Sequence, residues 1–216
     1  MQIFDVLGPI MIGPSSSHTA GIVRIGNVAR RILGHTPQKA HIQFHGSLAK
    51  TYRGHGSDKA IVAGLLGFKP DDMRIRDSFM LAKEAGFEYE ITAIELEDAH
   101  PNTVILDLHE LTMQAASVGG GNILVQKIND IDVLFDGYYD TLIIIHQDQP
   151  GAVSLVASVL AVEKINIAGM KLYRANKGGR AIMVLEIDGT LDKKLGKVIA
   201  ALPRIDQVTV ISGSGS

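Results

Sequence analysis

The stretch IIIHQDQPGAVSLVASVLAVEKINIAGM, residues 143–170, decides how the second half of this 216-residue chain folds. It begins within a short, β-rich apolar run at 141–146 and turns at the Pro150–Gly151 pair. It continues over 152–164 as an apolar-periodic helix and returns to a strand pattern from Ile165 onward. The stretch therefore predicts a β-α-β unit.

The rest of the second half extends this unit. Strand patterns lie on both sides of a Lys-Gly-Gly hairpin turn at 177–179, an amphipathic helix follows at 191–202, and a last strand covers 208–211. The resulting order, β-α-β-β-α-β, predicts a ferredoxin-like fold. The helix at 152–164 is predicted to have a broad apolar face, formed by Val153, Leu155, Val156, Val159, Leu160 and Val162.

The same stretch resembles the ACT domain, whose signature joins a strand, Asp/Asn-x-Pro-Gly, a helix and Ile-Asn-Ile. The resemblance covers 141–211 and implies a domain that binds small amino acids or pairs chains, here as a homodimer. Effector-binding candidates are Asp148, Gly151 and Asn166, because Gly151 lets a ligand approach the backbone and the helix after it offers free N–H groups to a carboxylate. The alternative is that Pro-Gly only ends a strand and starts a helix.

Composition excludes several classes of protein. A net charge of −2 argues against nucleic acid as the main partner, since duplex binding needs a concentrated basic surface. No apolar run is long enough to span a bilayer, and the expected location is the cytoplasm. Because the chain has no cysteine, it offers no thiolate ligands for zinc or an iron–sulfur cluster. The final SGSGS predicts a flexible tail at 212–216.

The first half has a mixed pattern that predicts an α+β domain over 1–135 with a largely antiparallel sheet. Helices are predicted at 21–33 and 57–68, the second capped by Ser57 or Asp58. A strand that starts at 41 is predicted to run into a Gly-Ser turn. Four further strands are predicted, at 87–97, 103–110, 112–118 and 122–128.

Three polar motifs interrupt these elements. The motif GPSSSHT at 13–19 places hydroxyls and an imidazole at a helix start, where they suit a carboxylate or phosphate; alternatively, Ser16 or Ser17 is simply a cap. The segment HGSLAKTYRGHGSDKA at 45–60 brackets two histidines with glycines, which predicts a loop that approaches a ligand. The turns at 99–103 and 117–122 lie at strand ends, and each alone is typical of an ordinary turn.

Taken in order, these motifs resemble the beta chain of bacterial iron–sulfur-dependent L-serine dehydratase over roughly residues 1–128. The family also has relatives that serve as an allosteric substrate-binding domain in some phosphoglycerate dehydrogenases. The resemblance implies a subunit that deaminates L-serine to pyruvate and ammonia together with an alpha chain, which holds a [4Fe-4S] cluster. It implies no metal ligand in this chain.

The resemblance also assigns site residues. His18 and His55 match the two histidines near the substrate, and we favour His55 as the base because a Gly-flanked loop brings it close to the substrate Cα. His45 is interpreted as structural. The residues expected to bind the substrate or complete its loop, with Gly119 to Gly121 lining the rim, are Ser15, Ser16, Ser17, Thr19, Ser47, Thr51, Asp58 and Asn102. An alternative from another class stays open, a non-catalytic serine-sensing module.

Overall fold

The fold is taken from a computed structural model that describes residues 15–213. Gly13 and Pro14 of the first polar motif, and 214–216 of the predicted tail, therefore lie outside the described residues. The chain divides between Asn129 and Asp130 into two compact units, and each combines helices with a sheet. The predicted mixed α+β class is confirmed. Among the described residues, no helix has the length and apolar character needed to cross a lipid bilayer.

The first unit packs its helices against one sheet. A π-helical turn at Ser16–Ala20 leads directly into the first helix, and a 3-10 turn at Met73–Asp77 leads into the fourth. The strands lie in the order β2-β1-β3-β4-β5, with β1 and β2 parallel and the other pairs antiparallel. The elements are α1 (Gly21–Leu33), β1 (Lys39–His45), α2 (Gly46–His55), α3 (Ser57–Leu65), α4 (Ser78–Glu84), β2 (Glu88–Ile94), β3 (Thr103–Asp107), β4 (Thr112–Gly119) and β5 (Asn122–Ile128).

The first helix shows how sequence determines this packing. Ile22, Ile25, Ala29 and Ile32 recur at helical spacing and are all buried, which places one stripe of α1 against the core. The helix ends at Gly34, whose φ of +92° is the left-handed conformation typical of a glycine after a helix. The Gly34 N–H donates to the Arg30 carbonyl at 2.9 Å.

Two predictions about the segment 45–60 are wrong. No Gly-Ser turn follows β1, because α2 begins at Gly46 itself, and the segment expected to be a Gly-flanked loop is a helix up to His55. The break comes at Gly56, which has a φ of +71° and precedes α3. Neither Ser57 nor Asp58 caps α3, since Gly56 occupies the cap position and no side chain bonds there.

The second unit has the predicted βαββαβ order, with the short strand β6 (Ile131–Phe135) preceding it. Its four-stranded sheet is antiparallel throughout, in the order β10-β7-β9-β8. The buried carboxylate of Asp140 joins the beginning and end of the unit, accepting bonds from Leu191 N–H at 2.8 Å and Gly213 N–H at 2.7 Å. The other elements are β7 (Asp140–Gln147), α5 (Ala152–Val162), β8 (Ile167–Arg174), β9 (Arg180–Ile187), α6 (Lys193–Ala200) and β10 (Ile205–Ile211).

The apolar face of α5 is narrower than predicted. Val156 and Leu160 are buried against the sheet, whereas Leu155 is 39% exposed and Val162 is 79% exposed. Because the helix packs against one face of a sheet, only the stripe of residues that contacts the sheet becomes buried. Leu155 and Val162 therefore belong to the predicted apolar face but lie outside its buried part.

Candidate functional site

From Ser15 onward, the first polar motif forms a tight helical turn. Ser15 has extended backbone, with φ at −143°, and the π-helical turn that begins at Ser16 continues into α1 without a break. The N-cap is thus Ser15, one position before the two serines predicted for that role. Its Oγ accepts from the backbone N–H of His18 at 3.2 Å.

Ser15 also contacts the His18 side chain. Its Oγ lies 3.1 Å from His18 Nδ1, so one hydroxyl holds both the backbone and the ring of the histidine. The opposite ring nitrogen, Nε2, is buried and has no hydrogen-bond partner among residues 15–213. A buried nitrogen without a hydrogen bond lowers the stability of the folded state, so such groups are rare in native proteins. The arrangement suits a nitrogen that bonds to a ligand.

His18 and His55 lie against each other although 37 positions separate them in the chain. Their ring centroids are 4.8 Å apart with the rings edge to face. Burial, together with the neighbouring His55 charge, lowers the pKa of His18 below its ordinary value of 6.5. His18 is therefore neutral at pH 7, and the exposed His55 ring completes a pair of imidazoles suited to proton transfer.

Two serines that were not assigned to the site contact the chain at or just after His18. Ser57 is fully buried and donates from Oγ to the His18 carbonyl at 2.8 Å, which ties the start of α3 to the entry of α1. Ser117 on β4 packs against Gly21, where a side chain would overlap its Oγ. Both residues stand in the quoted motifs, but only the fold shows what they contact.

Ser47 and Asn102 join a helix to the sheet. The Ser47 hydroxyl donates to Asn102 Oδ1, and the Asn102 amide nitrogen donates to the Ser117 carbonyl at 3.4 Å. Thr51 uses its hydroxyl within α2, donating to the Ser47 carbonyl at 2.7 Å. These polar groups therefore position α2, which ends at His55.

The other candidates of the first unit have separate surroundings. Asp58 is half-buried and accepts from the Lys59 N–H at 2.8 Å, and burial raises the pKa of its carboxyl. No contact in the described part of the chain joins Asp58 to either histidine. Gly119 to Gly121 all have positive φ and turn β4 into β5, where Arg24 donates to the Gly121 carbonyl at 3.0 Å.

Thr19 is 2% exposed, and its Oγ1 has no hydrogen-bond partner within the described part of the chain. Ser16 and Ser17 are half-buried beside it. Of the predicted cradle of hydroxyls, Ser15 bonds to His18, whereas no described residue bonds to the hydroxyls of Ser16, Ser17 and Thr19. His45 is buried at the start of α2 and accepts from the Leu96 N–H at 3.2 Å.

The three effector candidates of the second unit do not meet within one chain. Asp148 accepts from the Gly178 N–H at 3.0 Å and from Arg174 at 2.9 Å, and these contacts lower the pKa of its carboxyl. Asn166 donates instead to Asp188 at 2.6 Å. Asp148 and Asn166 lie next to residues that pair with opposite ends of β9. At 3.3 Å per residue, the two ends of this strand are roughly 23 Å apart.

Gly151 follows Asp148 by three positions in the sequence and directly precedes α5. Its φ of +94° lies in the left-handed region, which glycine adopts more readily than other residues.

We searched residues 15–213 for a set of metal ligands. The described residues contain no group of three His, Asp or Glu side chains placed to hold an ion, and the chain has no cysteine. The residues present therefore do not fit an iron–sulfur cluster, and we derive no step of a reaction through one.

Sequence comparison places this site in a family. The chain is 39% identical to the probable L-serine dehydratase, beta chain, of Bacillus subtilis (strain 168), over 98% of both chains. It belongs to the L-serine dehydratase beta chain family. The L-serine dehydratase, beta chain, of Peptoniphilus asaccharolyticus is 40% identical over 93% of both chains.

Two domain families match separate parts of this chain. The family described as Serine dehydratase beta chain matches residues 2–98, and the AHAS small subunit-like ACT domain matches 142–210. The resemblances to the beta chain and to the ACT domain are thereby confirmed. The D-3-phosphoglycerate dehydrogenase of Bacillus subtilis is 28% identical over 87% of this chain, but the match covers only 37% of that longer protein.

Proposed function

We propose that this chain is the beta subunit of an L-serine ammonia-lyase, which deaminates L-serine to pyruvate and ammonia together with an alpha chain. The observation that carries the proposal is the His18–His55 pair, with the unpartnered Nε2 of His18, in a chain homologous over its full length to L-serine dehydratase beta chains. We propose that the alpha chain holds the [4Fe-4S] cluster, because this cysteine-free chain lacks the ligands for one.

Removal of water from serine needs two proton transfers. A base takes the proton from Cα, and the hydroxyl leaves with a proton as water; the resulting enamine becomes an imine, which hydrolyses to pyruvate and ammonia. We assign the base to His55, whose exposed ring lies against His18. His18, neutral at pH 7 and half-buried, is the group that directs Nε2 toward a substrate oxygen.

The remaining assignments concern the substrate carboxylate. Ser16, Ser17 and Thr19 lie in the first turn before α1, where hydroxyls and free N–H groups favour an anion. Ser15, Ser47, Thr51 and Asn102 support the site through the bonds described above rather than through free hydroxyls. Asp58 is left with a role in α3 alone.

Reconstitution tests the proposed function. The chain and its cognate alpha chain, combined without oxygen, should form pyruvate from L-serine, whereas this chain alone should form none. The alternative is a serine-sensing module without catalytic activity. Calorimetry of the isolated chain with L-serine measures the serine binding that this alternative requires. Serine binding by a chain that never gives turnover with any alpha chain would contradict the enzyme-subunit proposal and favour the sensor.

We further propose that the ACT domain pairs two copies of the chain along β8. This strand is at the edge of its sheet, and it exposes the apolar side chains of Met170 (43%) and Leu172 (47%). Leu172→Lys should convert a dimer into a monomer in light scattering after size exclusion. Val198→Lys changes an equally exposed residue on α6 and should leave the dimer intact; a Leu172→Lys dimer would contradict the proposal.

A further inference from the structure

Ser15 has a single hydroxyl hydrogen and two neighbours that compete for its oxygen. Oγ accepts from the His18 backbone N–H at 3.2 Å and lies 3.1 Å from His18 Nδ1. A serine hydroxyl has one hydrogen to donate and two lone pairs. Because the backbone contact uses a lone pair, the hydrogen remains available for the ring nitrogen.

Two arrangements of hydrogen are possible, and they differ in what they leave unpaired. If the hydroxyl donates to Nδ1, the backbone N–H, the hydroxyl hydrogen and the Nδ1 lone pair all have partners. If Nδ1–H donates to Oγ, the hydroxyl hydrogen has no partner among the described residues. The first arrangement satisfies more polar groups in a half-buried turn.

We propose that Ser15 is a positioning residue that keeps neutral His18 in the tautomer with hydrogen on Nε2. Which nitrogen of a histidine carries the hydrogen is determined by the bond that the other nitrogen makes. The buried, unpartnered Nε2 is then a donor, and its natural partner is an oxygen of the ligand, a carboxylate or a hydroxyl.

This tautomer separates the roles of the two histidines. A neutral imidazole with hydrogen on Nε2 cannot accept a proton at that nitrogen, so His18 serves as donor and the proton from Cα goes to His55. This functional part rests on the proposed reaction, whereas the tautomer itself is a property of the chain alone. The two are therefore tested by different measurements.

Nitrogen NMR of the full chain reads the tautomer directly. In histidine-labelled protein, at a pH where titration in the same spectra shows His18 to be neutral, its Nε2 should have the shift of a protonated nitrogen. Two histidines serve as internal references. His100 Nδ1 accepts from the Asn102 N–H at 3.1 Å, and His146 Nδ1 lies 2.8 Å from the Gln147 carbonyl, to which it must donate. His18 should resemble His100, and a spectrum like that of His146 would overturn the proposal.

Substitution of Ser15 then changes the tautomer predictably. Ser15→Asp keeps a good N-cap, but its carboxylate only accepts, so it should move the hydrogen to Nδ1. Ser15→Thr should preserve the wild-type spectrum. Ser15→Gly removes the hydroxyl at a smaller cost to the helix than alanine and should give a mixture. Unchanged His18 shifts in Ser15→Asp would overturn the proposal.

Activity of the complex with the alpha chain tests the role. Ser15→Asp should lower kcat by about 100-fold, in the range of a lost proton-transfer group, and Ser15→Thr should retain most of the activity. Full kcat in a Ser15→Asp complex whose His18 tautomer has moved would overturn the role of His18 as donor. A wild-type complex without activity would instead count against the proposed function and leave the tautomer standing.

Discussion

In the complex with the alpha chain, His55→Ala should lower kcat for L-serine by about 10²–10⁴-fold, the usual contribution of a positioned acid or base. The reason is geometric: the His55 ring lies 4.8 Å from that of His18 and is exposed at the end of α2. Alanine is compatible with a helix and removes only the imidazole, so binding of the alpha chain should persist. Pyruvate formation under saturating L-serine is the measurement.

The same variant has a second readout, on the neighbouring ring. Because the charge of His55 helps to lower the pKa of His18, its removal should raise that pKa. The pKa of His18 should still stay below 6.5, since burial is the larger cause. Titration of His18 by NMR therefore checks the geometry of the pair without any reference to turnover.

His35→Ala is the matched control for activity. His35 is an exposed histidine after α1 whose ring contacts the Thr36 carbonyl, outside the site. Its loss should leave kcat unchanged. An intact His55→Ala complex as active as His35→Ala would remove His55 from the mechanism.

The second unit could be predicted nearly whole from sequence. Its signals are local: Pro150–Gly151 lies in the turn between β7 and α5, the periodicity of 152–164 predicts α5, and a Lys-Gly-Gly turn joins β8 to β9. Short-range turns and alternation determine the register in such a fold. The sequence did not indicate that Asp148 and Asn166 lie far apart, near opposite ends of β9.

The first unit was harder because its short helix α2 depends on contacts that are distant in sequence. Glycines at 46, 54 and 56 suggest a loop, yet Gly46 and Gly56 only mark the ends of α2. The helix is held by buried Leu48 and by the bond from Ser47 to Asn102, 55 positions away. Such tertiary contacts override local propensity.

The candidate site shows the same division. The family resemblance predicted that His18 and His55 both lie near the substrate, and the fold brings their rings together. Sequence analysis did not predict the contact between Ser15 and His18, because three consecutive serines cannot be distinguished by residue type. In the structure, Ser15 has extended backbone and its hydroxyl lies against the His18 ring. Residue type suggested hydroxyls near an imidazole, and only geometry separates the one that bonds to it.

Gly64→Ala should destabilise the first unit, because α1 and α3 cross with their backbones in contact. A methyl group on Gly64 would overlap the Val23 carbonyl and reach 3.0 Å from Gly26 Cα. At the facing position, a methyl on Gly26 would lie 2.8 Å from the Ile61 carbonyl. These are backbone atoms within helices, so they cannot move aside as a flexible side chain would.

The net effect is a balance of two terms. Overpacking costs about 3 kcal/mol when backbone must shift, whereas alanine in place of glycine returns up to about 1 kcal/mol of helix stability. We therefore expect the free energy of unfolding to fall by about 2 kcal/mol. Hydrogen exchange of the α1 and α3 amides is the appropriate measurement, since it reports on this unit separately from the ACT domain.

Gly54→Ala is the control variant, in which alanine replaces a helical glycine without overpacking. Gly54 also lies within a helix, but a methyl group there meets nothing within 4 Å, so only the favourable term remains. Its exchange should be unchanged or slower, while that of Gly64→Ala should be faster by more than tenfold, which corresponds to about 1.4 kcal/mol. Equal exchange in the two variants would show that α1 and α3 are not in backbone contact. Because Ser57 at the start of α3 holds the His18 carbonyl, separation of these helices should also weaken the His18–His55 pair.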